Sequence, residues 1–239
     1  MSKTKHSPTP KEPVSSFELF NLSASAVQRN LSAFTVLNLL PAAMMLGSAI
    51  SSSRRDQQAN DLSGIGSLTG LPTYAIASFA GIGLAIFLLV ILASLIIRAM
   101  LYALQLEVAK GKTPELADIW QVGKKYWLRL LGLGIVVSVF VIGGLFLLIV
   151  PGLIMLRRYF LSPYVLIEKD TSISEAMRIS AEISKPYSGS IWGIIGVSIL
   201  LSLPSFIPVI GSIVSFVLAM LYSVAPALRY QELKKLAKA

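Results

Sequence analysis

Residues 186–228 read PYSGSIWGIIGVSILLSLPSFIPVIGSIVSFVLAMLYSVAPAL, 43 positions without an Asp, Glu, Lys or Arg. As one straight helix this run would extend about 65 Å, roughly twice the hydrocarbon thickness of a bilayer. It therefore has to turn back on itself, and Pro204, Pro208 and Gly211 mark the turn. The segment reads as a membrane hairpin.

The rest of the chain follows the same pattern. Of its 239 residues, 54% are hydrophobic and 14% charged, against about 45–50% and about 25% in soluble domains. Residues 31–50 form a charge-free span with Pro41 as a kink, and residues 74–97 form a second whose helical pattern continues towards Gly111. Residues 130–156 are again uncharged but are interrupted by Pro151-Gly152. That places a third span up to Val150, a tight turn, and a short fourth span over 153–167. With the two arms of 186–228, the expectation is an all-α polytopic membrane protein of six transmembrane helices.

Six spans put both termini on one side, and basic residues choose it. Lys3, Lys5, Lys11 and Arg29 precede span one, and Arg98, Lys110, Lys112, Lys124, Lys125 and Arg129 separate spans two and three. Lys169, Arg178 and Lys185 separate four and five, and Arg229, Lys234, Lys235 and Lys238 follow six. The opposite face has Arg54 and Arg55 alone. Both termini are expected in the cytoplasm of a plasma-membrane protein, with Tyr102, Tyr126, Trp127, Tyr187, Trp192 and Tyr230 as an interfacial belt on that face. The first 30 residues lack the apolar core of a secretory signal, so span one itself directs insertion. The net charge of +9 follows this inside bias and carries no nucleic-acid module, which makes anionic phospholipid the simpler partner.

Counting excludes much chemistry. There is no Cys, and the single His is His6, in a Pro-rich stretch read as a disordered cytoplasmic tail over 1–14. Thiolate metal sites, Ser-His-Asp and Cys-His mechanisms are absent from the inventory. The acids fall outside the spans, so there is no intramembrane carboxylate relay. Gly64-Ile-Gly66-Ser-Leu-Thr-Gly70 has glycines but not the strand and Lys-Ser context of a phosphate loop. No enzyme activity and no cofactor are expected.

Ser15-Ser16-Phe17-Glu18 and Ser172-Ile173-Ser174-Glu175 are capping boxes, and Thr113-Pro114-Glu115 offers Thr as an N-cap with Pro after it. Each opens an amphipathic stretch before a span: Phe20, Ala24, Val27 and Leu31; then Leu116, Ile119, Trp120, Gly123 and Trp127; then Ile173, Ala176, Met177, Ser180 and Ile183. A single bundle over 15–235 therefore reads as three repeats of amphipathic helix plus transmembrane hairpin, 15–112, 113–171 and 172–235, with 236–239 as a C-terminal tail. Arg178 can pair with Glu175 and Glu182 on one helix face.

Pro151-Gly152, the following Arg157, Tyr159 and Pro163, and Glu175-Ala176-Met177-Arg178-Ile179-Ser180 resemble a group of prokaryotic membrane proteins. It comprises the membrane domain fused to some glycerophosphoryl diester phosphodiesterases and its stand-alone relatives, including YciC-type inner-membrane proteins. The similarity is clearest over residues 130–235. It implies a six-span bundle in a prokaryotic inner membrane. The phosphodiesterase chemistry does not carry over, because it needs His, carboxylates and a metal on a soluble domain.

Arg157 and Arg158 are the candidate lipid- or anion-binding residues, since they fall inside span four with no acid in any span to pair with them. The bland alternative is that they snorkel to headgroups, and adjacent residues point about 100° apart, so only one can face the bundle. Asn38, Ser198, Ser202, Ser212, Ser215 and Ser223 either line a polar path or bond to backbone. Gly81-x-x-x-Ala85 and Gly134-x-x-x-Ser138 have the spacing of close helix packing. The leading functional reading is a non-enzymatic membrane protein with a lipid-associated structural or scaffold role, partnered by another membrane protein or a second copy. The alternative is a transporter or permease subunit for a small or amphiphilic anion that uses Arg157 or Arg158.

Overall fold

The computed structural model describes residues 13–58, 73–207 and 210–237, and every regular element among them is helical. Most of the expected tail over 1–14, the glycine segment 64–70 and Pro208 lie outside those residues. In chain order the helices are α1 (Glu18–Arg29), α2 (Leu31–Gln58), α3 (Thr73–Ala109), α4 (Leu116–Leu147), α5 (Ile149–Tyr159) and α6 (Ser162–Lys169). They continue with α7 (Ile173–Ser184), α8 (Ser188–Ser202), a 3₁₀ turn at Leu203–Phe206, α9 (Ile210–Tyr222) and α10 (Ala225–Leu236).

Among the described residues, four runs are long and apolar enough to cross a membrane: Gly83–Ala109, Leu116–Leu147, Ser188–Phe206 and Ile210–Leu236. A fifth arises if Glu18–Arg29 and Leu31–Gly47, bent by 96°, count as one. The most apolar window of α4 has a mean hydropathy of 2.7, yet only 6% of it is buried inside the protein. An apolar face left bare on that scale is suited to lipid, because in water it would have to be covered. These lengths and surfaces are compatible with a multi-pass membrane protein.

The helix expected from residue 74 onward forms as α3, whose candidate span Gly83–Ala109 lies further along than the expected 74–97. The extension of α3 to Ala109 ends at Gly111, whose φ of 82° is the left-handed geometry that glycine adopts without strain. The charge-free run 186–228 also turns as expected, at the 3₁₀ segment, where Gly211 packs on the Pro204 carbonyl with no room for a Cβ.

The hairpin around Pro151-Gly152 differs from expectation. Its turn is Leu148, in extended backbone, and Pro151 and Gly152 lie in the first turn of α5, where proline has no helical hydrogen bond to lose. Gly152 serves contact instead: a Cβ there would come within 2.7 Å of Leu145 N, and one on Gly144 within 2.8 Å of the Gly152 Cα. The segment 153–167 is not one helix. Pro163 cannot donate to the Tyr159 carbonyl, Ser162 Oγ donates to it instead, and the chain breaks between α5 and α6. Both short helices return along α4, as Tyr159 packs on Phe140 at 5.9 Å and Asp170 meets Lys125 and Arg129 at 2.7 and 2.6 Å.

Buried side chains gather at the end of the bundle where α3, α6 and α10 converge. Leu106, Leu133, Leu161, Leu166, Ile191 and Leu233 are fully buried there or nearby. Tyr230, stacked on Tyr164, belongs to this core and not to an interfacial belt, and Tyr126 is buried there too with Lys125 and Arg129 against its ring. Arg229 is fully buried beside them: it ion-pairs with Glu232 and donates to the Val14 carbonyl at 2.6 Å, while Glu232 accepts from Val14 N at 2.7 Å. The start of the described chain is thus clasped to its last helix.

The amphipathic stripes shift in detail. In α1 the inward residues are Leu19, Ser23 and Val27, because Ser23 Oγ donates to Leu221 O and accepts from Val224 N across the α9–α10 break. In α4, Leu116 and Trp120 are exposed while Ile119, Gly123 and Tyr126 point inward, Gly123 against Met100 of α3. Thr113 caps nothing, since α4 begins at Leu116 without a side-chain cap. Ser172 does cap, accepting from Glu175 N at 3.3 Å, whereas Ser15 accepts from Glu18 N at 3.1 Å from outside a helix whose N-cap is Phe17. Gly134 packs on no other helix, having nothing within 4 Å of a Cβ position. Gly152→Ala is expected to lower stability by about 1–3 kcal/mol through overpacking. Gly134→Ala should leave stability unchanged or raise it by up to about 1 kcal/mol through helix propensity, both read as shifts in thermal unfolding in detergent.

Candidate functional site

The site grows from α7. Ser172 caps it, and Ala176, Met177, Ile179, Ser180 and Ser184 form its buried stripe. From that stripe Ser180 Oγ donates to the Arg158 carbonyl at 2.7 Å, with Ser184 Oγ at 3.5 Å. The last carbonyls of a helix lack internal partners, so two serines of α7 satisfy the end of α5 and fix Arg158 beside α7.

Between α4, α5 and α7 lies a groove of about 860 Å³. Val136 and Phe140 of α4 with Tyr159, Ile173, Met177 and Ala181 form its apolar wall; Arg158, Arg178, Glu182 and Lys185 form its charged edge, with Ser172 and Ser174. Arg178 is satisfied as the sequence predicts: two bonds to Glu175, at 2.9 and 2.7 Å, and one to Glu182 at 2.7 Å. The side chains of Arg158 and Lys185 make neither a hydrogen bond nor an ion pair with any described residue.

Arg157 lines no part of this groove, as its position about 100° around the helix requires. Its Nε is buried without a hydrogen-bond partner. The structure therefore separates the two candidate arginines and places Lys185 on the same groove as Arg158. A second groove, about 430 Å³, runs between α3 and α4 past Arg98, Tyr102, Trp127, Gly134 and Ser138.

The polar residues of the spans mostly bond to backbone. Asn38 donates to Phe34 O, Ser198 to Ile194 O, Ser202 to Ile199 O, and Ser215 to Ser202 O. Ser212 lines a groove of about 300 Å³ with Ser198, Ser202 and Ser215, and Ser223 Oγ is buried without a partner.

The densest polar cluster is one that periodicity did not reveal. Glu168, at the end of α6, accepts from Tyr230 Oη at 2.6 Å, Gln231 Nε2 at 3.0 Å and Lys234 Nζ at 2.7 Å, with Lys110 Nζ at 3.7 Å. Tyr164 one turn earlier donates to Gln105 of α3 at 2.8 Å. Burial by itself would raise the Glu168 carboxyl, but bonds from Lys234, Tyr230 and Gln231 outweigh it and lower the pKa to about 2. The cluster is a structural junction, since every oxygen is already engaged.

Comparison of the chain with family models, with curated proteins and with solved structures finds no match in any of the three. The geometry alone carries the functional reading.

The Glu168 junction has a pH signature. A carboxyl lowered in the folded state binds fewer protons there than in the unfolded chain, so its contribution is fully present above about pH 4.5 and lost as pH falls towards about 2. Unfolding followed in detergent should show wild type losing more stability across that window than Glu168→Gln. Equal slopes would remove Glu168 from the account.

Proposed function

We propose that the chain is a non-enzymatic integral protein of a prokaryotic plasma membrane, with a lipid-associated structural or scaffold role and both termini in the cytoplasm. One observation carries the reading: the buried core collects at the charged end, while the long helices leave their apolar faces bare, as on α4. A protein built this way presents lipid with most of its surface and keeps its polar contacts at one interface. The inside bias of Lys and Arg assigns that end to the cytoplasm. The six-span arrangement, with 153–167, broken between α5 and α6, as the fourth arm, belongs to this proposal, as do the three repeats and the resemblance to the phosphodiesterase-associated membrane domains.

Several features support a scaffold over a permease. The serines of the last hairpin mostly turn their hydroxyls to helix backbone, so they offer few free groups to a solute. Arg158 sits at the edge of an external groove beside α7, the position of a residue that meets headgroups. The inventory, with its one histidine in the tail, supports a role without catalysis.

Two measurements test this. Because the chain has no cysteine, Ser174→Cys and Lys235→Cys give unique labels; both should resist an impermeant maleimide in intact cells and react after permeabilisation, with Ser67→Cys reacting from outside. In vesicles of phosphatidylethanolamine and phosphatidylglycerol the protein should leave phosphate and chloride flux at the level of empty vesicles. Flux that Arg157→Ala or Arg158→Ala abolishes would establish the permease instead.

A further inference from the structure

Arg158 and Lys185 are two cations at one groove with no carboxylate engaging them. They stand where the exposed charged face of α7, carrying Arg178 and Glu182, meets the apolar wall of Val136 and Phe140. Phe140 is 47% exposed and continuous with the bare face of α4. A groove of this composition joins a wall suited to an acyl chain to an edge suited to a charged headgroup.

From this geometry we infer that the groove between α4, α5 and α7 holds one anionic phospholipid, its phosphate on Arg158 and Lys185 and an acyl chain along Val136 and Phe140. The inference rests on the lipid-associated reading above and names the lipid class. Charge selects it: the groove is lined by three cations, Arg158, Arg178 and Lys185, and one carboxylate, Glu182, with Arg178 alone paired to acids. An anionic phosphodiester answers that excess of positive charge. A headgroup with no charge beyond its phosphate, such as glycerol, matches it, whereas a choline or ethanolamine headgroup adds a cation to a basic edge. The guanidinium fork suits two phosphate oxygens, and Lys185 supplies a point charge. Ser180 holds the Arg158 backbone before any lipid arrives, so little order has to be gained on binding. The volume of about 860 Å³ accommodates a headgroup and the upper part of a chain. A soluble anion would use the cations but leave the apolar wall idle.

The test is native mass spectrometry of the full chain from micelles holding equal amounts of phosphatidylcholine and phosphatidylglycerol, reading the ratio of the two in the first bound lipid. Wild type should favour phosphatidylglycerol. Arg158→Gln with Lys185→Gln should reduce that preference about tenfold, the scale of one lost charge-assisted contact. Arg158→Lys should retain most of it, and Lys124→Gln with Lys235→Gln, which removes two charges elsewhere, should match wild type. Lys185→Gln alone alters an exposed side chain beyond the end of α7, so it reports on the site even if Arg158→Gln fails to fold. A wild-type preference unchanged by Lys185→Gln and by every folded Arg158 variant, or lost equally in the control pair, overturns the groove and leaves the broader lipid reading standing. A wild type with no preference for the anionic lipid sinks both.

Discussion

The convergence of the helices depends on one carboxylate. Glu168 lies in the last turn of a helix of eight residues, and its two oxygens receive the hydroxyl of Tyr230, the amide of Gln231 and the ammonium of Lys234 on α10, with Lys110 just past α3 close by. A half-satisfied carboxylate at such a depth would destabilise the bundle, whereas one with all its partners in place fixes the register of α6 against α10. Tyr164, stacked on Tyr230 and bonded to Gln105, repeats the constraint one turn up. With that end locked, the remaining helix lengths need few specific contacts, because bare apolar faces are at no disadvantage in lipid.

α7 is tied into the same frame and is more than a raft on the surface. Its buried serines replace the backbone partners that α5 lacks at its end, so the helix break forced by Pro163 and the docking of α7 answer one another. The outer face of α7 keeps a self-contained Glu175–Arg178–Glu182 triad. What remains unanswered at the seam is cationic, and this gives the groove its character.

Local features were legible from the sequence, and long-range ones were not. The stop at Gly111, the turn at Pro204 and Gly211, the Ser172 cap and the pairing of Arg178 involve neighbours within a turn or two, where spacing alone fixes geometry. Ser23 in the core, Tyr126 and Tyr230 away from an aromatic belt, and Glu168 as a junction each depend on a partner far along the chain. The break at Leu148 in place of Pro151 arises from the contact of Gly144 with Gly152, which propensity does not encode. Of the candidate site, Arg158 was visible as an unpaired cation; its separation from Arg157 followed from helix geometry, but its place on one groove with Lys185 needed the packing of α7 on α5.

The clasp between Val14 and the Arg229–Glu232 pair spans more than two hundred residues, and Ser23 reaches almost as far to the α9–α10 break. The ribosome delivers α1 well before α9 and α10. Val27 can pack on α2 and α3 as soon as they form, but Leu19 and Ser23 find their partners only on α8, α9 and α10. Synthesis of α9 and α10 is therefore also the act that seats α1, and a polypeptide that stops short of both would leave Ser23 without its partners.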